Sequence, residues 1–179
     1  MSAASLDPRH LDLTRCASAG AELSGQWPAA SLDRLAIDAP PSGDGQVRWS
    51  ARGERRAVTG APAELWLHVQ ASTVVQLACQ RCLQALHHPL TAQRSIRWVA
   101  DEAEAERLDE LCEDDVLALP AQGRLDLLTL VEDELILNLP LVPRHEVCPD
   151  PLPLPADELQ DEAPANPFSV LAGMKVRQN

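Results

Sequence analysis

Aromatic side chains are scarce in this sequence, with four Trp, one Phe and no Tyr among 179 residues. Stacking successive bases requires a ladder of rings, so base recognition by that route is excluded. The core must be built from Leu, Val and Ala, and each Trp is available as a structural anchor. Long apolar runs are missing as well. No stretch approaches the roughly 20 apolar residues that a helix needs to cross a bilayer, so no membrane role is expected. The opening MSAASLDPRHLDLTR lacks a basic start followed by an apolar segment, so it does not read as a secretory signal, and a cytoplasmic location is expected. A phosphate-cradling Gly loop, a nucleophile elbow and a His-Glu-x-x-His pair are all absent. Neither an enzyme of those classes nor a small-molecule substrate is expected. Positive charge is in deficit: the formal net charge is −12, which argues against broad attraction to nucleic acid. Five unevenly spaced cysteines do not suit a disulfide framework in a reducing compartment, which leaves metal binding, redox chemistry or burial.

Hydrophobic residues, by contrast, make up 45% of the chain, enough for one packed domain with looser segments. Charge is unevenly spread. Residues 44–98 hold seven Arg against three acids, a net of +4, whereas residues 99–163 hold three Arg against nineteen acids, a net of −16.

The segment from Leu6 reads as a short helix capped by Asp7 with Pro8 in its first position, then a strand running toward Trp27. SLDRLAID reads as a helical turn capped by Ser31, and APPSGDG as a loop. From Gln46 the period becomes two. Val47, Trp49 and Ala51 alternate with Arg48, Ser50 and Arg52, and Leu65, Leu67 and Val69 alternate with Trp66, His68 and Gln70. STVVQLA and LTAQRSIRWV have the same strand character. Between them CQRCLQALHHP has the shape of a metal knuckle or a tight hairpin tip. ADEAEAERLDELCEDD is an acidic run that reads as a solvated loop or loosely held helix. Asp126 is a cap for a buried helix to about Asn138, with Leu128, Val131, Leu135 and Leu139 on one stripe, ended by Pro140 and Pro143.

The expected fold is α+β: a mainly antiparallel sheet meander, one long buried helix and a tethered short C-terminal helix. Residues 1–148 form the domain. Residues 149–165, rich in Pro and acid, read as a disordered linker. Residues 166–179 read as a short docking helix and tail, with Asn166 as cap, Pro167 in the first turn, and Phe168, Leu171 and Met174 on one face.

Three pieces of the chain together resemble the YceD family: ACQRCLQAL at 78–86, GRLDLLTLVEDELILNLPLVPRHEVC at 123–148 and NPFSVLAGMK at 166–175. Their order and spacing also resemble it, including the acidic gap before the second and the Pro/acid stretch before the third. The resemblance implies a role in the synthesis, processing or stability of large-subunit ribosomal RNA, with that RNA, its precursor or ribosomal proteins as partners. It implies no catalytic mechanism.

Four constellations could carry chemistry. Cys79 and Cys82 with His145 and Cys148 make a Cys-x2-Cys … His-x2-Cys set, two close pairs of ligands of the kind tetrahedral zinc takes. Such an ion would be structural, stapling sheet to helix. The other reading is of separately buried thiols and a loop histidine. A redox pair fits less well, because a thioredoxin-type motif begins a helix in a βαβ setting. His87 or His88 could replace His145, while Cys16 and Cys112 have no partner at ligand spacing. Arg52, Arg55, Arg56, Arg81, Arg94 and Arg97 form the second constellation: several would share a sheet face and could touch phosphate or a protein partner, or form a solvated face with local ion pairs. Glu132, Asp133 and Glu134 are the third, but adjacent acids on a helix diverge, so a nuclease site is not expected. The last is the acidic stretch with the 166–175 segment, which would suit an adaptor for basic ribosomal proteins. A ribonuclease or thiol oxidoreductase is the remaining alternative.

Overall fold

A computed structural model describes residues 6–150 of the protein. The chain begins with a 3₁₀ turn, Pro8–His10, whose cap Asp7 accepts the Arg9 N–H. Strand β1 (Leu11–Asp12) leads into helix α1 (Leu13–Ala19). Strand β2 (Glu22–Pro28) is followed by a 3₁₀ turn at Ala29–Ser31 and helix α2 (Asp33–Asp38). Three long strands come next: β3 (Gln46–Arg56), β4 (Glu64–Ala78) and β5 (Ala85–Val99). Helix α3 (Glu102–Asp109), strands β6 (Asp115–Ala118) and β7 (Arg124–Leu125), and helix α4 (Leu127–Leu137) complete the order.

Strands β2, β3, β4 and β5 form an antiparallel meander, and β6 adds to β5 in parallel after the α3 crossover. Strands β1 and β7 pair separately, Leu11 opposite Leu125. The fold is therefore α+β with a mainly antiparallel sheet, as the period-two pattern predicts.

Alternation along the strands sorts the side chains. Val47, Trp49, Ala51, Leu67, Val69, Leu90 and Ile96 are buried on one face, where α1 packs on β3 and β4 and α4 packs on β4 and β5. Gly53 lies on that face, and a Cβ there would come within 2.6 Å of the Cys16 backbone. Only glycine lets α1 sit this close. The opposite face carries Arg48, Ser50, Arg52, His68 and Gln70. Of the four Trp, Trp49 and Trp98 are buried on the helix side and Trp27 stacks on Trp49 at 4.4 Å. Trp66 lies on the polar side, covered by the Arg56 guanidinium.

Several local expectations are corrected. The Asp7 turn is a single 3₁₀ turn, and the helix begins later, capped by Asp12 through the Arg15 N–H. Ser31 does not cap α2; its hydroxyl donates to the Pro28 carbonyl at 2.6 Å, and Leu32 takes the cap position. AELWLHVQAS and STVVQLA are one continuous fifteen-residue strand, because no turn residue interrupts them. Of the two forms expected for the acidic run, a solvated loop or a loosely held helix, the helix is the one present, α3, capped by Asp101. Helix α4 starts at its expected cap, Asp126, and buries Leu128, Val131 and Leu135. Residues 151–179, which hold nearly all of the expected linker and the segment with Asn166, Pro167, Phe168, Leu171 and Met174, lie outside the described residues.

Candidate metal centre

Strands β4 and β5 pair to their ends, Ala78 opposite Ala85, so residues 79–84 must reverse the chain. The Cys79 N–H donates to the Gln84 carbonyl at 2.9 Å, and the Leu83 N–H donates to the Cys79 carbonyl at 2.8 Å. Closing this turn puts Leu83 at φ 60°, a left-handed conformation that costs an L-residue roughly 1–2 kcal/mol. It also aims the Arg81 and Cys82 backbone N–H groups at the Cys79 sulfur. The hairpin tip is thus a Cys-x2-Cys knuckle.

The second pair of ligands arrives from the end of α4. Asn138 caps the helix, and the following segment returns to the sheet, where the Gln80 N–H donates to the Pro143 carbonyl at 2.8 Å. Cys79, Cys82, His145 and Cys148 then converge, with their ligand atoms all within 4.8 Å of one another. The Cys79 and Cys148 sulfurs are 3.9 Å apart, and Cys82 Sγ is 3.5 Å from His145 Nδ1. A tetrahedral ion with bonds of about 2.3 Å to sulfur and about 2.0 Å to nitrogen would separate these atoms by about 3.8 and 3.5 Å. The three thiols are buried as a cluster of their own, apart from the main core. This set of donors can hold a metal ion.

The electrostatics point the same way. Burial would raise the Cys79 pKa, but backbone N–H groups of His145, Cys82 and Arg81 and the Cys82 thiol outweigh it and hold the pKa at about 5. Burial, and then the Cys148 and Cys79 sulfurs, push Cys82 up against an N–H bond from Gln84. Thiols as close as Cys79 and Cys82 resist ionising together unless a cation joins them. One cation is already supplied. Arg81 Nε donates to Cys148 Sγ at 2.9 Å, and its guanidinium also donates to the His145 and Glu146 carbonyls at 2.9 and 3.2 Å. His145 directs Nδ1 at Cys82 while Nε2 faces the Ala85 carbonyl at 3.2 Å, a partner that fixes the ring for ligation.

The other candidates fall elsewhere. His87 pairs with Ser42 at 2.5 Å and lies outside the four-ligand group, and His88 stands opposite Val75 in the sheet. Cys16 is buried, and burial pushes its thiol up. Cys112 donates to the Leu108 carbonyl. The six arginines do not make one surface. Arg52, Arg56 and Arg97 share the polar sheet face, but Arg52 and Arg56 pair with Glu54 and Arg97 with Glu64. Arg55 and Arg94 fall on the other side by strand alternation, and Arg94 binds Glu134 at 2.5 Å and Asp115 at 3.0 Å. Arg81 belongs to the knuckle. Of the α4 acids, Glu132 and Asp133 take Arg34 and Glu134 takes Arg94, so they diverge.

A profile of the family described as "Large ribosomal RNA subunit accumulation protein YceD" matches residues 67–175, which contain the whole four-ligand cluster and α4. The chain belongs to the YceD family. A curated YceD relative from Haemophilus influenzae, with the same descriptive name, is 37% identical over 108 residues, covering 56% of this chain and 60% of the relative. The chain thus spans less than two thirds of that YceD protein's length. No solved structure matches it. In this YceD chain, no helix among the described residues is long and apolar enough to cross a membrane.

Proposed function

We propose that the chain is an accessory factor in the accumulation of large-subunit ribosomal RNA, acting by binding rather than catalysis and stapled by a structural zinc ion. Membership of the YceD family carries the ribosomal part of this reading. The cluster supports the zinc part, because three sulfurs and one imidazole in a closed, buried set suit structural zinc. Cys79, Cys82, His145 and Cys148 would be its ligands. A thiol oxidoreductase is disfavoured: a nucleophilic cysteine must be reachable, and Cys79 combines a lowered pKa with complete burial. A ribonuclease is disfavoured by the divergence of the α4 acids.

A second reading, an adaptor for basic ribosomal proteins without direct RNA contact, is favoured by one observation. The outer-face arginines each have a carboxylate partner, so little uncompensated positive charge is offered to phosphate. Affinity capture of the tagged protein from cells, with sequencing of bound RNA and identification of bound proteins, separates the two. Enrichment of large-subunit precursor RNA, lost steeply with salt and reduced by Arg52→Ala with Arg56→Ala, is expected of a direct binder. Enrichment of ribosomal proteins with no salt-sensitive RNA signal supports the adaptor. Recovery of neither above a mock capture overturns both.

A further inference from the structure

Four aliphatic side chains stand in solvent around the cysteine–histidine cluster. Leu83 is 72% exposed, Leu141 100%, Val142 53% and Val147 83%. Leu83 follows the ligand Cys82, and Val147 precedes the ligand Cys148. Leu141 and Val142 precede Pro143, whose carbonyl is bonded to the knuckle at Gln80. The hairpin turn and the post-helix segment therefore bring all four to one end of the molecule. Leu83 is the informative member. Its left-handed φ of 60° is one that glycine adopts without cost, yet the position holds a large apolar residue that touches little of the described protein. The turn itself holds this strain, and residues held in such conformations cluster at functional sites.

We propose that residues 166–175, NPFSVLAGMK, dock onto this apolar rim within the same chain, Phe168, Leu171 and Met174 covering Leu83, Leu141, Val142 and Val147. Three observations select this occupant. The described chain ends at Asp150, two residues after Cys148, so the segment departs from the rim itself. Fifteen residues separate Asp150 from Asn166, and a chain of that length spans roughly 20 Å as a coil and about 45 Å when extended. Return is within reach, at an effective concentration on the order of millimolar. The match to the family profile also runs through residue 175, so knuckle, helix and segment belong to one pattern.

The docked arrangement rests on the knuckle being ordered, and so on the metal reading, but it goes beyond that reading. Methyl NMR of the full-length chain tests it, with zinc content measured on every sample. Phe168→Asp is expected to shift the methyl resonances of Leu83, Leu141, Val142 and Val147, leave those of Ile96 and Leu127 in place, and do so independently of protein concentration. Leu83→Gly is expected to relieve the turn and raise the unfolding temperature, yet move the Val147 and Leu141 methyls toward their Phe168→Asp positions. Rim methyls unmoved by Phe168→Asp in zinc-loaded protein overturn the docking alone. Shifts that appear only at high concentration assign the rim to a second copy and overturn it too. Samples without stoichiometric zinc, whatever the methyls do, sink the metal reading separately.

Discussion

Arg81 stands between the two cysteines of the hairpin turn, where sequence alone ranks it among six arginines available to phosphate. Folding gives it a different task. Its Nε donates to Cys148 Sγ at 2.9 Å, and its remaining donors hold two carbonyls of the 145–146 segment. A divalent ion with three thiolates and a neutral imidazole carries one net negative charge, and the guanidinium of the otherwise exposed Arg81 offsets it at the buried Cys148 sulfur. Residues supporting a metal's ligands in this way typically alter affinity by about 10–100-fold when removed. Arg81→Ala is expected to weaken zinc binding by a factor in that range, read by competition with a chromophoric chelator. Arg81→Lys should fall between, since an ammonium restores charge but not the three-point geometry. Equal affinities for all three proteins would show that Arg81 is a bystander. The ligands were legible in the sequence because two local pairs of soft donors need no fold to be noticed. Arg81 was not, because spacing does not say which way a residue between two ligands points.

Helix α4 was legible as an element for a similar reason: a capping Asp126 and leucines at spacings of three and four define its start and buried stripe. Its acids were harder to read. Glu132 is buried, and its carboxylate accepts from the Arg34 and Leu35 backbone N–H groups at 2.7 and 3.2 Å and from the Arg34 side chain at 2.9 Å. In this way it caps helix α2, which has no side-chain cap of its own. Sequence alone points to Ser31 for that cap, because a local serine is visible in the chain and a carboxylate about a hundred residues away is not. Burial alone would raise the Glu132 pKa, but Arg34 and the two N–H donors hold it below its ordinary value of 4.5. The stability it contributes is therefore present above about pH 4.5 and lost as the pH falls through its lower native value. Glu132→Ala is expected to cost about 1–3 kcal/mol at neutral pH, because two N–H groups lose their acceptor. Denaturant midpoints on the acid side should fall less steeply for Glu132→Gln than for the unaltered protein. Parallel acid limbs in the two proteins would refute the assignment.

At the scale of the whole molecule, the question is how much of the fold depends on the metal centre. Small zinc domains have no core of their own and unfold when the ion is removed. Here the centre and the core are distinct: the thiols of Cys79, Cys82 and Cys148 form one buried cluster, while Leu35, Val47, Leu67, Ile96, Leu127 and Val131 belong to another, between the sheet and its helices. The antiparallel meander is held by backbone pairing from Glu22 to Trp98 without help from the ligands. What the cluster adds is a join between the β4–β5 turn and the segment after α4, two regions with few apolar contacts of their own. Stripping the metal with a strong chelator is thus expected to leave the far-UV circular dichroism nearly unchanged and unfolding still cooperative, at a lower midpoint. Hydrogen exchange should rise sharply at residues 79–84 and 141–148 and little in β3 or α4, because opening there is local rather than global. Cys148→Ser should reproduce that pattern without chelator. Loss of the entire sheet signal on chelation would mean instead that the join nucleates the fold, and that the core formed by sheet and helices is too weak to stand without it.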